Sequence, residues 1–358
     1  MIIKKFFNGF LKFVRKNKVV LIKSNKTIIA KQKRMISREV SFCGEKYLIA
    51  NRQILDEIIS KSGVYRYLSN KEIEEKLRLC VTTYVDDFSG LFQGSCYNPD
   101  ISQWDTSNAK TMEKMFYNAK WFNCDIGGWN TSSVTCMRMM FYQAQSFNKK
   151  LTRWDVSKVT NMESMFNNAH AFNQDLSNWN TSSVCNMSQM FYSAVSFNGN
   201  LSEWDTSNVY TMRMMFFHAK IFNKDLSLWE TKKVQDMKQM FSYALSFNQN
   251  ISSWNVSSVT DMSLMFNEAC AFKGNLSGWD VSSVFDMQQM FRGAKLFNSD
   301  ISNWNTSNVS DMSMMFYEAK LFNQNLSLWD TEGLLYYYKF SDKSSLKDDH
   351  KPKKIVSK

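Results

Sequence analysis

The stretch Phe172-Asn-Gln-Asp-Leu-Ser-Asn-Trp-Asn-Thr-Ser-Ser-Val-Cys-Asn-Met-Ser-Gln-Met-Phe191 decides the fold, because the chain repeats it with a fixed period of 25 residues. A Leu or Ile three positions before the tryptophan and a Met-x-x-Met-Phe box after it recur in step. Such a period is typical of arrays in which each unit buries its apolar side chains only against its neighbours. We therefore predict a solenoid of about ten repeats over residues 85–335. The tryptophans that mark the period are Trp104, Trp129, Trp154, Trp179, Trp204, Trp229, Trp254, Trp279, Trp304 and Trp329.

The spacing inside one repeat predicts one helix and one strand. The apolar residues from Val184 to Ala194 fall at i, i+3, i+6, i+7 and i+10, which is one face of a helix, and residues 180–183 supply N-cap oxygens. The short segment 176–179 predicts a strand that pairs in parallel with its copy in the next repeat. Since strands stack about 4.8 Å apart and helices need about 8–10 Å, we expect a curve with the strands inside. The predicted fold class is a curved, leucine-rich-repeat-like α/β repeat solenoid with a small α+β N-terminal cap.

The two ends of the array differ from its middle. Phe88, Leu91 and Phe92 replace the methionine box, and the loop after them is one residue short, which indicates a degenerate first repeat. Residues 36–84 predict a small α+β cap, with a helix capped by Asn51 and another that starts at the capping box Ser69-x-x-Glu72. Residues 336–358 predict a C-terminal cap and a tail, and the polar composition of residues 341–358 favours disorder.

The net charge of +11 lies at the N-terminus. Residues 1–35 contain eleven Lys and Arg residues and no acid, so the rest of the chain is close to neutral. Phe6, Phe10 and Phe13 can share one helical face, which favours docking on an anionic membrane or an acidic partner. The alternative is a solvated tail, and no recognised module favours nucleic acid. The candidate residues of this basic arm are Lys4, Lys5, Phe6, Phe10, Lys12, Phe13, Arg15 and Lys16.

Catalytic and metal-binding patterns are missing from the sequence. The three histidines lack companions at metal-ligand or triad spacing, and there is no phosphate-binding glycine loop. The Asp, Asn or, at Glu230, Glu after each tryptophan favours a turn or cap over calcium binding, because glycine is scarce and the residue is not always Asp. Seven cysteines at unrelated repeat positions predict free, mostly buried thiols rather than disulfides. We predict a protein that is not an enzyme and that needs no cofactor or metal.

Two variable positions of the repeat are candidates for partner binding. The residue after the Met-Phe pair is often aromatic, and Tyr is enriched at protein interfaces. These rings are Tyr117, Tyr142, Tyr192, Phe217 and Tyr317. The alternative is that they only shield the edge of the core. The residue before each tryptophan varies most and should face the concave side. Its candidates are Gln103, Arg153, Asn178, Glu203, Leu228, Asn303 and Leu328.

The repeat Phe172-Asn-Gln-Asp-Leu-Ser-Asn-Trp-Asn-Thr-Ser-Ser-Val184, followed by Asn186-Met187-x-x-Met190-Phe191, resembles that of BspA-like leucine-rich-repeat surface proteins, first classed as a mycoplasma lipoprotein-associated domain of unknown function. The resemblance implies a non-catalytic surface protein that mediates adhesion or protein–protein interaction. The apolar stretches near the N-terminus are broken by charges, unlike those of a signal peptide. This leaves a second possibility, an intracellular scaffold tethered by the basic arm.

Overall fold

A computed structural model describes residues 21–24, 27–30 and 36–356 of the chain. The prediction of an amphipathic segment over residues 4–16 lies outside these residues. The first described element is an antiparallel hairpin of β1 (Leu21–Ser24) and β2 (Thr27–Ala30). The backbone N–H of Ile28 donates to the carbonyl of Gln103 at 3.5 Å, so β2 lies against the start of the repeats.

The segment before the repeats combines a small sheet with two helices. Strands β3 (Glu39–Phe42) and β4 (Glu45–Ile49) are antiparallel, and β5 (Cys80–Val81) is parallel to β4. Helix α1 (Arg52–Ile59) begins where the Asn51 side chain accepts the N–H of Ile54, and a 3-10 turn follows at Gly63–Tyr65. Helix α2 (Asn70–Arg78) begins at the predicted capping box of Ser69 and Glu72. Both helix starts are therefore confirmed.

One hydrophobic core joins this cap to the repeats. It runs without interruption from Leu48 to Leu346. The indole Nε1 of Trp104 donates to the carbonyl of Leu77 at the end of α2, at 2.9 Å. Each later tryptophan repeats this contact with the Leu or Ile of the preceding repeat, for example Trp204 with Leu176 at 2.9 Å. The ring is thus a core residue and a buried donor between neighbouring repeats.

The predicted helix in each repeat is wrong. Between residues 82 and 346 of the described chain, the repeats contain turns and one isolated parallel β-bridge per neighbouring pair. The bridges link residues 87, 111, 136, 161, 186, 211, 236, 261, 286, 311 and 336 in order. Parallel pairing is therefore present, but it runs along the methionine box. The predicted strand at 176–179 is instead a turn, closed by the N–H of Trp179 on the carbonyl of Leu176.

The backbone of the box explains this difference. We number the box from its first methionine, so that Met187 is position 1 and Ala194 is position 8. The N–H groups at positions 1, 3, 5 and 7 donate to the next repeat, whereas those at 4, 6 and 8 close turns onto residues three back. Positions 3 and 7 have positive φ, as at Gln189 (57°) and Ser193 (51°). A helix cannot form through such residues, and the pairing between repeats satisfies the backbone groups instead. We call the segment from position 0 to position 8 a rung.

Both ends of the stack follow the same backbone pattern. The first bridge joins Asp87 to Thr111 across 24 residues, and the later ones span 25, which confirms a degenerate first repeat with a shorter loop. The last rung has Tyr337 at position 1. Beyond it, the tail expected to be disordered is ordered through residue 356, with a 3-10 turn at Asp348–His350 and a short helix α3 (Lys353–Val356). Leu346 is buried because this tail covers part of the last rung.

The cysteines are mostly not buried, contrary to expectation. Cys80 is the buried one; Cys43 and Cys96 are exposed, and the other four are intermediate. Burial raises the pKa of the Cys80 thiol to about 12. The prediction failed because most cysteines occupy variable positions of the repeat, which the stack leaves at the surface.

Candidate binding surface

The rungs lie closest together along one side of the stack. Ring centroids in neighbouring repeats are 6.1–6.5 Å apart for the tryptophans and 5.4–5.7 Å for the box phenylalanines. At position 6 they are 4.7 Å apart for Tyr117 and Tyr142. Equivalent atoms in repeats related by a screw operation separate further with distance from its axis. Position 6 therefore lies on the inside of the curve and the tryptophans lie towards the outside.

The aromatic residues at position 6 form two stacked groups on this inner side. Tyr117 and Tyr142 are parallel within 4°, and Tyr192 and Phe217 stack at 4.6 Å and 9°. Tyr243, at position 7, extends the second group by an edge contact of 5.9 Å with Phe217. The rings at position 6 are half-buried. They both cover the edge of the core and present aromatic surface, so the two interpretations of this row are compatible.

Between the second group and Tyr317, position 6 is polar and bonded within the stack. The amide of Asn267 donates to the hydroxyl of Ser242 at 3.1 Å, and the guanidinium of Arg292 donates to the Asn267 side chain at 3.3 Å. Arg292 also lies over the ring of Tyr317, 5.7 Å from its centroid, and Lys343 covers the same ring at 5.1 Å. Tyr317 is therefore covered by two cations, which also pair with Glu268 and Glu318, and it is separate from the two stacked groups.

The residues that directly precede the repeat tryptophans form a row on the outer side of the curve, contrary to expectation. It is exposed except at Gln103, which is partly covered near β2. Leu228 and Leu328 are 68% and 88% exposed, and Arg153, Asn178 and Glu203 are also exposed. Asn303 donates its amide to the carbonyl of Ser277 at 2.9 Å. The prediction placed this row inside because it assigned the strand to the wrong half of the repeat.

A row of acids on the inner side was missed by the sequence reasoning. Asp236, Asp261, Asp286 and Asp311 occupy position 0 of four successive rungs and are joined by the bridges. Each accepts the N–H two residues ahead through Oδ1. Burial raises the pKa of Asp286, and the neighbouring aspartates add to this shift. Burial likewise raises the pKa of Asp236. The signal was available, because an Asp precedes the first methionine in four consecutive repeats.

Ion pairs between rungs occupy the same inner side. Arg138 lies between Glu113 and Glu163, with nitrogen–oxygen distances of 3.1 Å and 3.2 Å. Lys238 reaches Asp261 at 3.4 Å. The contacts of Arg138 join position 2 of neighbouring rungs. The contact of Lys238 joins position 2 of one rung to position 0 of the next. In the N-terminal half of the stack, the inner face therefore carries ion pairs between rungs. In the C-terminal half, it carries the row of aspartates.

The Asp or Asn that follows nine of the ten repeat tryptophans forms the turn that the sequence favoured, and Glu230 follows the remaining one. Asn180 accepts the N–H of Ser182 at 3.1 Å, and Asp155 accepts that of Ser157 at 3.0 Å. The described residues contain no group of three or more His, Cys, Asp or Glu placed to hold a metal ion. Among the same residues, no helix is long and apolar enough to cross a membrane.

Comparison with known proteins shows the family. Residues 63–179, 168–277 and 246–351 each match the family described as "Mycoplasma protein of unknown function, DUF285". The chain belongs to the DUF285 family. The three matches are tandem and cover the whole stack, so DUF285 describes the repeats and part of the cap. No curated protein matches the chain.

One solved structure is similar to this DUF285 chain at low level. It is titled "Crystal structure of TLR13-ssRNA13 complex" and is 11% identical, with a TM-score of 0.20. The alignment covers 78% of this chain and 56% of the other, so the chain spans little more than half of that structure's length. At this TM-score the similarity carries no argument about fold or function.

Proposed function

We propose that the DUF285 repeats form a solenoid scaffold that binds protein partners through its inner face, as a non-catalytic BspA-like surface protein active in adhesion. The supporting observation is the stacked aromatic group of Tyr192, Phe217 and Tyr243. These rings are partly accessible, and they lie where neighbouring rungs are closest together. Rigid aromatic side chains contribute contact area at low cost in conformational entropy, and they dominate many protein interfaces.

Residue variation along the stack supports the same proposal. The buried positions of the rung hardly change, because they form the shared core. Position 6 changes from Tyr to Asn, Ser and Arg while the backbone stays the same. A partner that contacts several rungs would therefore meet a specific series of aromatic and polar side chains. The constant rungs would hold that series rigidly.

A double alanine variant tests this proposal. Tyr192→Ala with Phe217→Ala removes the centre of the aromatic group, and Asn178→Ala with Glu203→Ala is the matched control on the outer side. Binding of the labelled full-length chain to intact host or neighbouring cells should fall about tenfold or more for the aromatic variant. The control should bind normally. Both variants should remain folded at the assay temperature, although the aromatic variant should have a lower unfolding midpoint because its rings also cover the edge of the core. Equal binding by the two variants would refute the role of the inner face.

The surface location needs its own measurement. Protease treatment of intact cells should remove the chain if it is displayed outside. Complete protection, with digestion after lysis, would contradict the adhesion role and leave a binding scaffold inside the cell.

A further inference from the structure

The last rung presents backbone donors that are unused within the described chain. Its turns match those of every other rung: Phe340 donates to Tyr337, Asp342 to Lys339 and Ser344 to Ser341. Its carbonyls are occupied, since Met314 and Phe316 donate to residues 338 and 340. The N–H groups of Lys339, Ser341 and Lys343, at positions 3, 5 and 7, would bond the next rung. They have no acceptor among the described residues.

Apolar and polar side chains both line this open edge. Leu335, Tyr336 and Tyr338 are 68%, 62% and 64% exposed. They line a groove of about 450 Å³ together with Phe340 and with Ile355 of the tail, and Lys339, Asp342 and Lys351 line it as well. An uncovered edge of this kind is a template for another chain. Two last rungs cannot pair with each other, because both offer donors at the same positions. The occupant must supply carbonyls at alternate residues, as the opposite edge of a rung does.

The basic arm contains a sequence with the pattern of a rung. Phe7-Asn-Gly-Phe-Leu11 resembles the first rung, Phe88-Ser-Gly-Leu-Phe92. With Phe7 at position 1, apolar residues fall at positions 1, 4, 5 and 8, the last being Val14. Gly9 falls at position 3, where the first rung has Gly90 with φ of 63°. The spacing i, i+3, i+4, i+7 is shared with an amphipathic helix, but the methionine box has the same spacing and forms a rung.

We propose that residues 7–14 of one copy add a rung to the last rung of a second copy, so that chains associate head to tail. The arm cannot reach its own last rung. Ten rung steps of about 4.7 Å place that edge on the order of 45 Å from the first rung. The six residues between Val14 and β1 give seven residue steps, which span at most about 25 Å when extended. A head-to-tail contact of this type produces rings or open chains.

One pair of opposite charges supports this alignment, in a groove that Lys339 and Lys351 also line. Lys12 falls at position 6, the position that Asp342 occupies in the last rung. The carboxylate of Asp342 is exposed at the end of the stack. Opposite charges at one position of neighbouring rungs already pair inside the stack, as Arg138 does with Glu113 and Glu163. The arm would extend this pattern across the contact between two copies.

Sedimentation velocity of the full-length chain over a range of concentrations tests the proposal. The parent should form concentration-dependent species larger than the monomer. Gly9→Ala should raise the concentration needed about tenfold, since a residue other than glycine in the left-handed region costs about 1–2 kcal/mol. Asn8→Ala, at position 2, is the control and should associate as the parent does. Lys12→Asp and Asp342→Lys should each weaken association, and the double variant should restore it.

Gly9→Ala also separates this proposal from a membrane anchor. In an amphipathic helix alanine is favoured over glycine by about 1 kcal/mol, so the same change would strengthen binding of the arm to vesicles that contain anionic lipid. A parent chain that stays monomeric at about 100 μM, well above typical specific affinities, overturns the head-to-tail contact. The head-to-tail contact is also overturned if the Gly9→Ala variant associates as well as the parent does, or more strongly. Tighter vesicle binding by a monomeric Gly9→Ala variant would identify the arm as a membrane anchor instead.

Discussion

At box position 3, the difference in stability between a Gly and an Ala variant has opposite signs in a rung and in a helix. Gln239 has φ of 57°, and its N–H donates to the carbonyl of Ser263 at 2.9 Å. Replacement by Gly or by Ala removes the same half-buried side chain and keeps this bond. In the left-handed region Ala costs about 1–2 kcal/mol. The extra freedom of Gly in the unfolded chain offsets about 0.5–1 kcal/mol of that difference. Gln239→Gly should therefore be more stable than Gln239→Ala by roughly 0.5–1 kcal/mol.

A helix through the same residues would reverse the order. In a helix interior, Ala is favoured over Gly by about 1 kcal/mol. The two structures thus differ by about 1.5–2 kcal/mol in this one comparison, which is well above the error of a denaturation midpoint shift.

Urea unfolding of the full-length variants, followed by the fluorescence of the buried tryptophans, measures the difference. Midpoints can be compared directly if the slopes agree. The control is the pair Gln235→Gly and Gln235→Ala, since Gln235 lies outside the left-handed region and is exposed. There the Ala variant should be the more stable one. A higher midpoint for Gln239→Ala than for Gln239→Gly would refute the rung backbone.

Three further changes test particular contacts. Asp286→Asn should stabilise the fold at pH 7, because burial raises the folded-state pKa of Asp286 and so disfavours its charged form. In urea midpoints measured from pH 7 to 4, this gain in stability should shrink as the pH falls through that pKa. A difference in stability that does not depend on pH would contradict this. Lys273→Asn should add about 0.5–1.5 kcal/mol, since an Asn here can accept the N–H of Asn298 as other repeats do; a lower thermal midpoint would contradict this. Trp204→Phe should cost about 2–4 kcal/mol in urea unfolding, because the buried carbonyl of Leu176 loses its donor and a cavity opens; an unchanged midpoint would count against the indole bond.

The repeat, its degenerate first copy and the caps of α1 and α2 could be predicted from the sequence, whereas the ordered C-terminal tail was not. The tryptophan period fixes how the units align, and the buried residues of the rung are those that the ladders contain. The caps of α1 and α2 followed from Asn51 and from Ser69 with Glu72, because these contacts depend on neighbouring residues alone. The turn after nine of the ten repeat tryptophans is equally local, since one Asp or Asn side chain closes it.

The backbone of the box could not be decided in the same way. Apolar residues at i, i+3, i+4 and i+7 fit a helix and a rung equally well. The remaining signal was glycine at position 3 or 7, seen as Gly90 and Gly94 in the first rung and as Gly293 later. Because the box was assigned as a helix, the row before the tryptophans was placed on the wrong side. The aspartate row was missed because it becomes a surface feature only when rungs stack.

The 25-residue period, the buried positions and the charge of the arm belong to the sequence alone. They depend on composition and on spacing along the chain. The left-handed residues at positions 3 and 7, the direction of the curve and the open edge of the last rung were decided by tertiary structure. Their physical reason is shared. In every rung between the first and the last, each N–H at an odd box position from 1 to 7 takes its acceptor from a residue 24 positions ahead, so no local pattern determines it.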